Sequence, residues 1–301
     1  MPITLLAGGT GFIGTRLADM LLQQGHVVRL LTRQPKGAGQ FAWDVEKGTI
    51  DRKALEGVDY VVNLAGAGIA DKRWTEARKR EIVDSRVKST HMLAEAVKQS
   101  GHQPQAWVSA SAIGYYGNSG EQKMHETDAP VDRSFMVDCC EQWEQAVDEI
   151  AALGIRTVKL RLGVVLEKGG GALDEFVKPL RFGLGTYFGN GQAWYSWIHR
   201  DDVCRAFIWA LETPDVDGVF NLVAPYPIRN KALVKAIAHA RRRPAVFLPV
   251  PSFALRLLFG EMSATILNSN LIASEKIEQA GFIFQYPDTD KALESIFQKQ
   301  K

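Results

Sequence analysis

Near the amino terminus, Gly8-Gly9-Thr10-Gly11-Phe12-Ile13-Gly14 carries G-x-G-x-x-G at Gly9, Gly11 and Gly14, and G-x-x-G-x-x-G at Gly8, Gly11 and Gly14. Both spacings suit a diphosphate. The chain must turn sharply, let a pyrophosphate touch backbone and pack a new helix against its neighbours; a Cβ obstructs each of these. The anion then rests on unpaired amides at the positive end of the helix. A second chemistry lies at Thr32 and Arg33, where a dinucleotide fold reads the adenosine ribose. A carboxylate there would accept from a 2′-hydroxyl. This chain offers instead the planar fork of an arginine, suited to a 2′-phosphate, with Lys36 nearby. The expected cofactor is therefore NADP(H).

Such a site needs a strand before the turn and a helix after it. Residues 3–7 are an apolar run, Leu17, Met20 and Leu21 recur at helical spacing, and a second strand reads at 27–32. The whole unit spans about thirty residues, as the dinucleotide motif requires. Phe41-Ala42-Trp43-Asp44 reads as a third strand with Asp44 near the adenine. A fourth, 60–67, ends in Leu64, Ala65 and Gly66, where small residues let backbone approach the cofactor. A long helix follows over about 75–99. The basic stretch Lys72 to Arg80 reads mainly as its solvated face; turned inward, it would suit an acidic or phosphorylated substrate.

A fifth strand at 106–111 leads into Ala112-Ile113-Gly114-Tyr115-Tyr116-Gly117, a loop covers 126–132, and a helix spans about 134–153. Strands six and seven read at 158–162 and 219–223, with a glycine-rich loop at 169–171 and an aromatic segment at 187–197 between them. This alternation predicts an α/β fold, a Rossmann-type doubly wound parallel sheet. Beyond Ala224 come a helix at 231–241, the prolines 244, 249 and 251, an apolar helix at 253–259 and a closing helix after Pro287. We read residues 1–165, with the strand near 219–223 returning to them, as the dinucleotide-binding domain. Residues 166–200 and 224–301 form a small, discontinuous lobe that completes a substrate pocket with the aromatic segment.

At 301 residues the chain accommodates such a domain and lobe, and a net charge of +2 gives no general attraction to nucleic acid or membrane. The apolar amino terminus is broken by glycines too early for a signal peptide or membrane span. Three cysteines, Cys139, Cys140 and Cys204, build no disulfide framework and have no metal-ligand spacing, so a cytoplasmic setting is expected.

On these motifs the chain resembles, over essentially its whole length, the extended short-chain dehydrogenase/reductase superfamily, in its atypical branch of YfcH-type epimerase-family proteins. Gly8 to Gly14 stands for GGTGFIG, Asn63-Leu64-Ala65-Gly66 for the strand-four motif, and Trp197-Ile198-His199-Arg200-Asp201-Asp202-Val203 for the returning segment. Pro249-Val250-Pro251, Gly260-Glu261-Met262 and Ala280-Gly281-Phe282 are similar to the branch's terminal domain. The superfamily uses a Ser or Thr after strand five, a Tyr-x-x-x-Lys on the next helix and often an Asn on the helix after strand four. Ser111 fills the serine position, whereas Met136 and Cys140 stand at tyrosine and lysine, and Arg86 at asparagine. Methionine donates no proton and a neutral thiol cannot replace an ammonium. The resemblance leaves Ser111 and Tyr115, or Tyr116 beside it, as neutral donors, Arg86 as the nearby charge, and Cys140 as an acid or nucleophile if its pKa is lowered. His199 is a weaker candidate acid, because Asp201 and Asp202 beside it read as helix caps. The implied function is an NADP(H)-binding oxidoreductase or epimerase acting on a small molecule, without nucleic acid or membrane. A cofactor-binding sensor or scaffold is the alternative. Helices after strands four and five pair in many relatives, so a homodimer is admitted.

Overall fold

The computed structural model describes residues 1–298. The sheet at its centre contains β1 (Ile3–Ala7), β2 (Val27–Thr32), β3 (Gln40–Asp44), β4 (Thr49–Ile50), β5 (Tyr60–Asn63), β6 (Ala106–Ala112), β7 (Thr157–Leu162) and β8 (Gly218–Leu222). Their spatial order is β8-β7-β6-β5-β1-β2-β3-β4. Every pairing is parallel except the β3–β4 hairpin. The order therefore reverses between β1 and β5, and the turns leaving those strands open a crevice at their carboxyl ends.

Strand alternation sends neighbouring side chains to opposite faces. Leu6, Val62, Val108 and Leu160 pack with Leu17 and Leu21 of α1 (Gly14–Gln23) and Phe207 and Leu211 of α5 (Arg200–Glu212). Leu5, Ala7, Val61 and Trp107 instead meet Leu93, Ala96 and Val97 of α2 (Glu76–Ser100). Helix α3 (Phe135–Ala151) lies beside α2. The expected Rossmann-type sheet is present.

A separate apolar cluster joins Leu173, Phe176 and Leu180 of α4 (Gly171–Leu180), Leu233 and Ile237 of α6 (Asn230–Ala240), and Ala292, Leu293 and Ile296 of the closing helix Thr289–Gln298. Three sequence expectations change. The glycines 169–171 introduce α4, which the sequence reading passed over because glycines and an internal Pro179 mask its apolar spacing. Strand four stops at Asn63 rather than Ala67, because the Asn63 carboxamide accepts from the Ala65 amide at 3.1 Å and turns the chain. The cap of α5 is His199, whose Nδ1 accepts from the Asp201 amide at 3.0 Å; Asp201 and Asp202 lie inside the first turn.

Candidate functional site

Each glycine of the first turn has a distinct duty. Gly8 has φ 79°, and a Cβ there would lie 2.7 Å from the Leu64 carbonyl, so the β1 and β5 turns touch through it. At Gly14 a Cβ would stand 2.2 Å from the Gly8 carbonyl oxygen, so only glycine lets α1 begin under the turn. Gly11 differs. It is exposed, and its Cβ would meet only the Gly8 oxygen, at 3.3 Å. Its open side faces away from the protein, with exposed Thr10 beside it and half-buried Phe12 and Ile13 leading into α1. No acidic residue occupies the helix's first turn and no side chain caps it. An anionic group fits this cradle.

Arg33 is exposed just past Thr32. The Thr32 hydroxyl accepts from the Gln34 amide at 3.3 Å, shaping the bend that presents it. Asp44 accepts from the Glu46 and Lys47 amides, and the Lys47 amide bond is the largest cause holding its carboxyl below the usual range. Its carboxylate thus braces the β3–β4 turn at the outer edge of the sheet. Opposite, Asn63 donates to Thr90, and Gly66 is exposed with the Arg86 guanidinium 3.1 Å from where its Cβ would be.

Helix α2 projects Arg86 onto this rim. Its Nη1 donates to the carbonyls of Ala67 at 3.1 Å and Ile82 at 2.9 Å, and its guanidinium lies 5.0 Å from the Trp143 ring. Among the described residues it has no carboxylate partner, and desolvation lowers its pKa. The basic stretch before it divides. Lys72, Arg73 and Arg80 are exposed, whereas Arg78 is buried, paired with Glu81 at 2.7 Å and bonded to the Gly68 carbonyl. Arg78 therefore fixes the loop instead of meeting solvent.

Beyond β6 the chain forms a buried polar chain that the sequence reading missed. Ser111 donates to Glu144 Oε1 at 2.6 Å, and Glu144 receives both Nε and Nη2 of Arg161 at 2.8 Å. Arg161 Nη1 donates to the Tyr116 hydroxyl at 2.8 Å, which donates to Asn221 at 2.7 Å. The Arg161 guanidinium also stacks 3.4 Å from the Tyr115 ring centre. Ser111 and Tyr115 are thus assembled by one ion pair. The serine's single proton, however, is committed to Glu144, which corrects its expected role as a donor: only its lone pairs remain for a ligand. One signal was available, since Arg161 and Glu144 are charged residues at apolar-phase positions of a strand and a helix, but nothing in the sequence pairs them.

Met136 and Cys140 face this same loop: a Cβ on Gly114 would be 3.5 Å from Met136 and 3.7 Å from Cys140 Sγ. Cys140 is buried, and desolvation pushes its thiol far up despite the nearby Arg86 charge. Thiolate chemistry is suppressed there. Met136 joins a cluster with Trp74, Cys139, Phe259 and Met262, so the carboxyl-terminal segment packs over the position where a tyrosine is usual. His199 is fully buried as a helix cap stacked 4.0 Å from Tyr286. Past Tyr116 the chain reaches a cavity of about 770 Å³, lined by Asn118, Phe188 and Asn190, and by Ser252, Arg256 and Asn268 from beyond the aromatic segment. That volume suits a small molecule.

Sheet order, crevice and glycine cradle together define a dinucleotide-binding α/β protein of the short-chain dehydrogenase/reductase kind. Residues 4–223 match the NAD dependent epimerase/dehydratase family, and residues 250–296 match a domain of unknown function, DUF1731. The chain belongs to that epimerase/dehydratase family. It is 35% identical to the epimerase family protein SDR39U1 of Mus musculus, over 97% of this chain and 98% of that one. Identity to the epimerase family protein YfhF of Bacillus subtilis is 36%, over 98% of each. The crystal structure of human epimerase family protein SDR39U1 with NADPH superposes with a TM-score of 0.90 at 34% identity, covering 98% of this chain and 99% of that one. UDP-N-acetylglucosamine 4-epimerase from Bacillus cereus shares the fold, with a TM-score of 0.80 at 20% identity. Among the described residues no helix is long and apolar enough to cross a membrane.

Proposed function

We propose that this protein is an NADP(H)-dependent oxidoreductase or epimerase acting on a small acidic or phosphorylated molecule. The observation that carries the reading is the cradle around Gly11, which is tight toward the protein and open toward the crevice. Residues 8–14 would hold the pyrophosphate, Thr32 and Arg33 the 2′-phosphate, Asp44 the adenine edge, and Leu64, Ala65 and Gly66 the nicotinamide half. The NADPH bound by the human relative supports that choice of cofactor. The cofactor supplies reversible hydride exchange.

The chain's own groups handle charge and protons. Tyr115, steadied by Arg161, presents its phenol hydroxyl to a substrate oxygen. Ser111 accepts from a substrate hydroxyl, because its own proton is given to Glu144. Arg86, a cation without a carboxylate partner among the described residues, attracts an anionic substrate group. Segments 166–200 and 224–301, of which 299–301 lie outside the described residues, are assigned to the substrate lobe, with the cavity beside Asn118 receiving the rest of the molecule. Orientation by such a site contributes several kcal/mol, up to about 7–11, without a tuned acid.

Fluorescence titration tests the cofactor. NADPH should bind at least about tenfold more tightly than NADH, a difference of about 1.4 kcal/mol. Equal affinities, or an Arg33→Ala variant that keeps the preference, overturn the assignment. A screen of carbonyl compounds and phosphorylated sugars for NADPH oxidation tests turnover. A second reading, an NADP(H)-binding sensor or scaffold, draws support from the packing of Met136 beneath Phe259 and Met262 and from the buried Cys140. It takes precedence if no compound oxidises NADPH while the cofactor changes affinity for a protein partner.

A further inference from the structure

The carboxyl-terminal ends of α4 and α6 approach each other on the lobe, and each is followed by a strand. Residues Leu184–Phe188 and Val246–Val250 pair in parallel as a two-stranded ribbon, with Leu184 opposite Val246 and Thr186 opposite Leu248. Alternation sends Gly185, Tyr187 and Phe247 inward, where Tyr187 and Phe247 join the lobe's apolar cluster. It leaves Leu184, Val246 and Leu248 on the outer face. All three are exposed, Val246 at 63%, and Phe182 just before the ribbon is 83% exposed. A row of aliphatic side chains in solvent on a sheet face marks a contact surface.

Charge distinguishes what it contacts. Arg181 and Arg243 each stand three residues before a ribbon strand, and Arg241 and Arg242 adjoin Arg243. The Val246 amide donates to the Gly183 carbonyl at 2.9 Å, which holds the two arginine segments together. Arg243 and Arg181 lie close enough to Arg241 for their repulsion to help depress its pKa, behind desolvation. Among the described residues none of the four has a carboxylate partner; Arg241 donates only to the Val177 carbonyl. Helix-end cations do complement the dipole. That explains one arginine per helix, but not four.

Backbone conformation adds an independent sign. The Arg242 amide donates to His239 and the Arg243 amide to Ala238, the two bonds of a Schellman cap. Its left-handed position, normally glycine, is Arg242 at φ 51°, the only non-glycine residue with positive φ among the described residues. An arginine held there against local preference points to a duty for its side chain.

We propose that this end of the lobe docks on an anionic lipid bilayer, with Phe182, Leu184, Val246 and Leu248 entering the interface and the arginine cluster meeting acidic headgroups. An interface that is apolar below and negative above matches both halves of the patch. A nucleic acid would leave the aliphatic face uncovered, and a second copy would set the arginine clusters against each other. A net charge of +2 conceals the site because acidic residues elsewhere offset it.

The test is flotation of the whole protein with vesicles of phosphatidylcholine alone and of phosphatidylcholine mixed equally with phosphatidylglycerol. Binding is expected only to the mixed vesicles, weakening with salt, and falling at least about tenfold in Leu248→Ser and in Arg243→Gln. Arg242→Gly is the decisive variant. It relieves the backbone, so the melting temperature should hold or rise while vesicle binding falls. Equal binding to both vesicle types, no binding, or full binding by Arg242→Gly overturns the proposal. So does a dimer in sedimentation that these variants dissociate, or single-stranded RNA binding that they abolish.

Discussion

Substituting Gly11 and Gly14 separately should split ligand binding from folding, although both belong to one motif. At Gly14 a Cβ would overlap backbone at 2.2, 2.7 and 2.9 Å, with no flexible side chain to move aside. Gly14→Ala should therefore cost about 3 kcal/mol or more, beyond ordinary overpacking. That is a large share of a domain's usual 5–15 kcal/mol. At Gly11 φ is not positive and only one oxygen lies within 3.3 Å, so Gly11→Val should cost less than about 1 kcal/mol of stability. Its branched side chain occupies the open face where a pyrophosphate must reach the amides. Loss of two charge-assisted hydrogen bonds, each about 1.5 kcal/mol, predicts at least about a hundredfold weaker NADPH binding. Urea unfolding followed by tryptophan fluorescence reads the first quantity, and NADPH titration of the folded protein the second. A folded Gly11→Val protein with unchanged NADPH affinity would mean that the nucleotide sits elsewhere. Equal destabilisation by both substitutions would mean that Gly11 is a packing residue.

Arg161→Met leaves the Glu144 carboxylate buried without its cation and should cost about 3–5 kcal/mol in urea unfolding; a cost below about 1 kcal/mol would mean that the pair does not hold the loop. Tyr116, pushed up to about 12 mainly by desolvation, keeps its proton when the unfolded chain releases it near 10. Stability should then fall by about 2–3 kcal/mol as pH rises from 10 to 12, and Tyr116→Phe should flatten that slope. With a substrate from the screen, Tyr115→Phe should lower kcat about tenfold or more while NADPH binding stays intact, and Cys140→Ala should change kcat by less than about threefold. Arg86→Ala should raise KM for a phosphorylated substrate more than for its neutral analogue, and an equal effect on both would remove Arg86 from substrate recognition.

The central sheet was legible because each strand carries its own signal: an apolar run, a turn and a helical repeat at fixed distance. The cofactor cradle was legible because glycine has a specific backbone use at fixed spacing. Helix α4 was not, since its start is glycine-rich and a proline interrupts its apolar rhythm. The lobe strands Leu184–Phe188 and Val246–Val250 were equally hidden, as five residues interrupted by Gly185 or Pro249 carry little periodicity. The polar chain from Ser111 to Asn221 was illegible for another reason. It joins residues 17, 33, 45 and 105 positions apart, and only the parallel stacking of β6, β7 and β8 beside α3 brings them into contact. Sequence put Ser111 at the end of a strand and Tyr115 just past it; it could not show that Arg161 and Glu144 tie them together.

Met136 and Cys140 stand where the superfamily carries the Tyr-x-x-x-Lys pair. Met136 is half-buried against the cluster of Trp74 and Met262, and Cys140 is buried near Gly114, so a thioether and a neutral thiol stand where the superfamily carries a proton donor and a cation. Charged groups stand at neighbouring positions. Arg161, anchored by Glu144, places a guanidinium against Tyr115, and Arg86 places another against the Gly66 rim. The carboxyl-terminal segment helps seal the substituted wall. Cys140→Lys alone would therefore bury an ammonium beside Arg86 and Arg161, facing a Glu144 carboxylate already committed to Arg161 and Ser111. Arg86 and Tyr115 are half-buried, whereas Ser111, Glu144 and Arg161 are buried, so of this group Arg86 and Tyr115 have surface to offer a ligand.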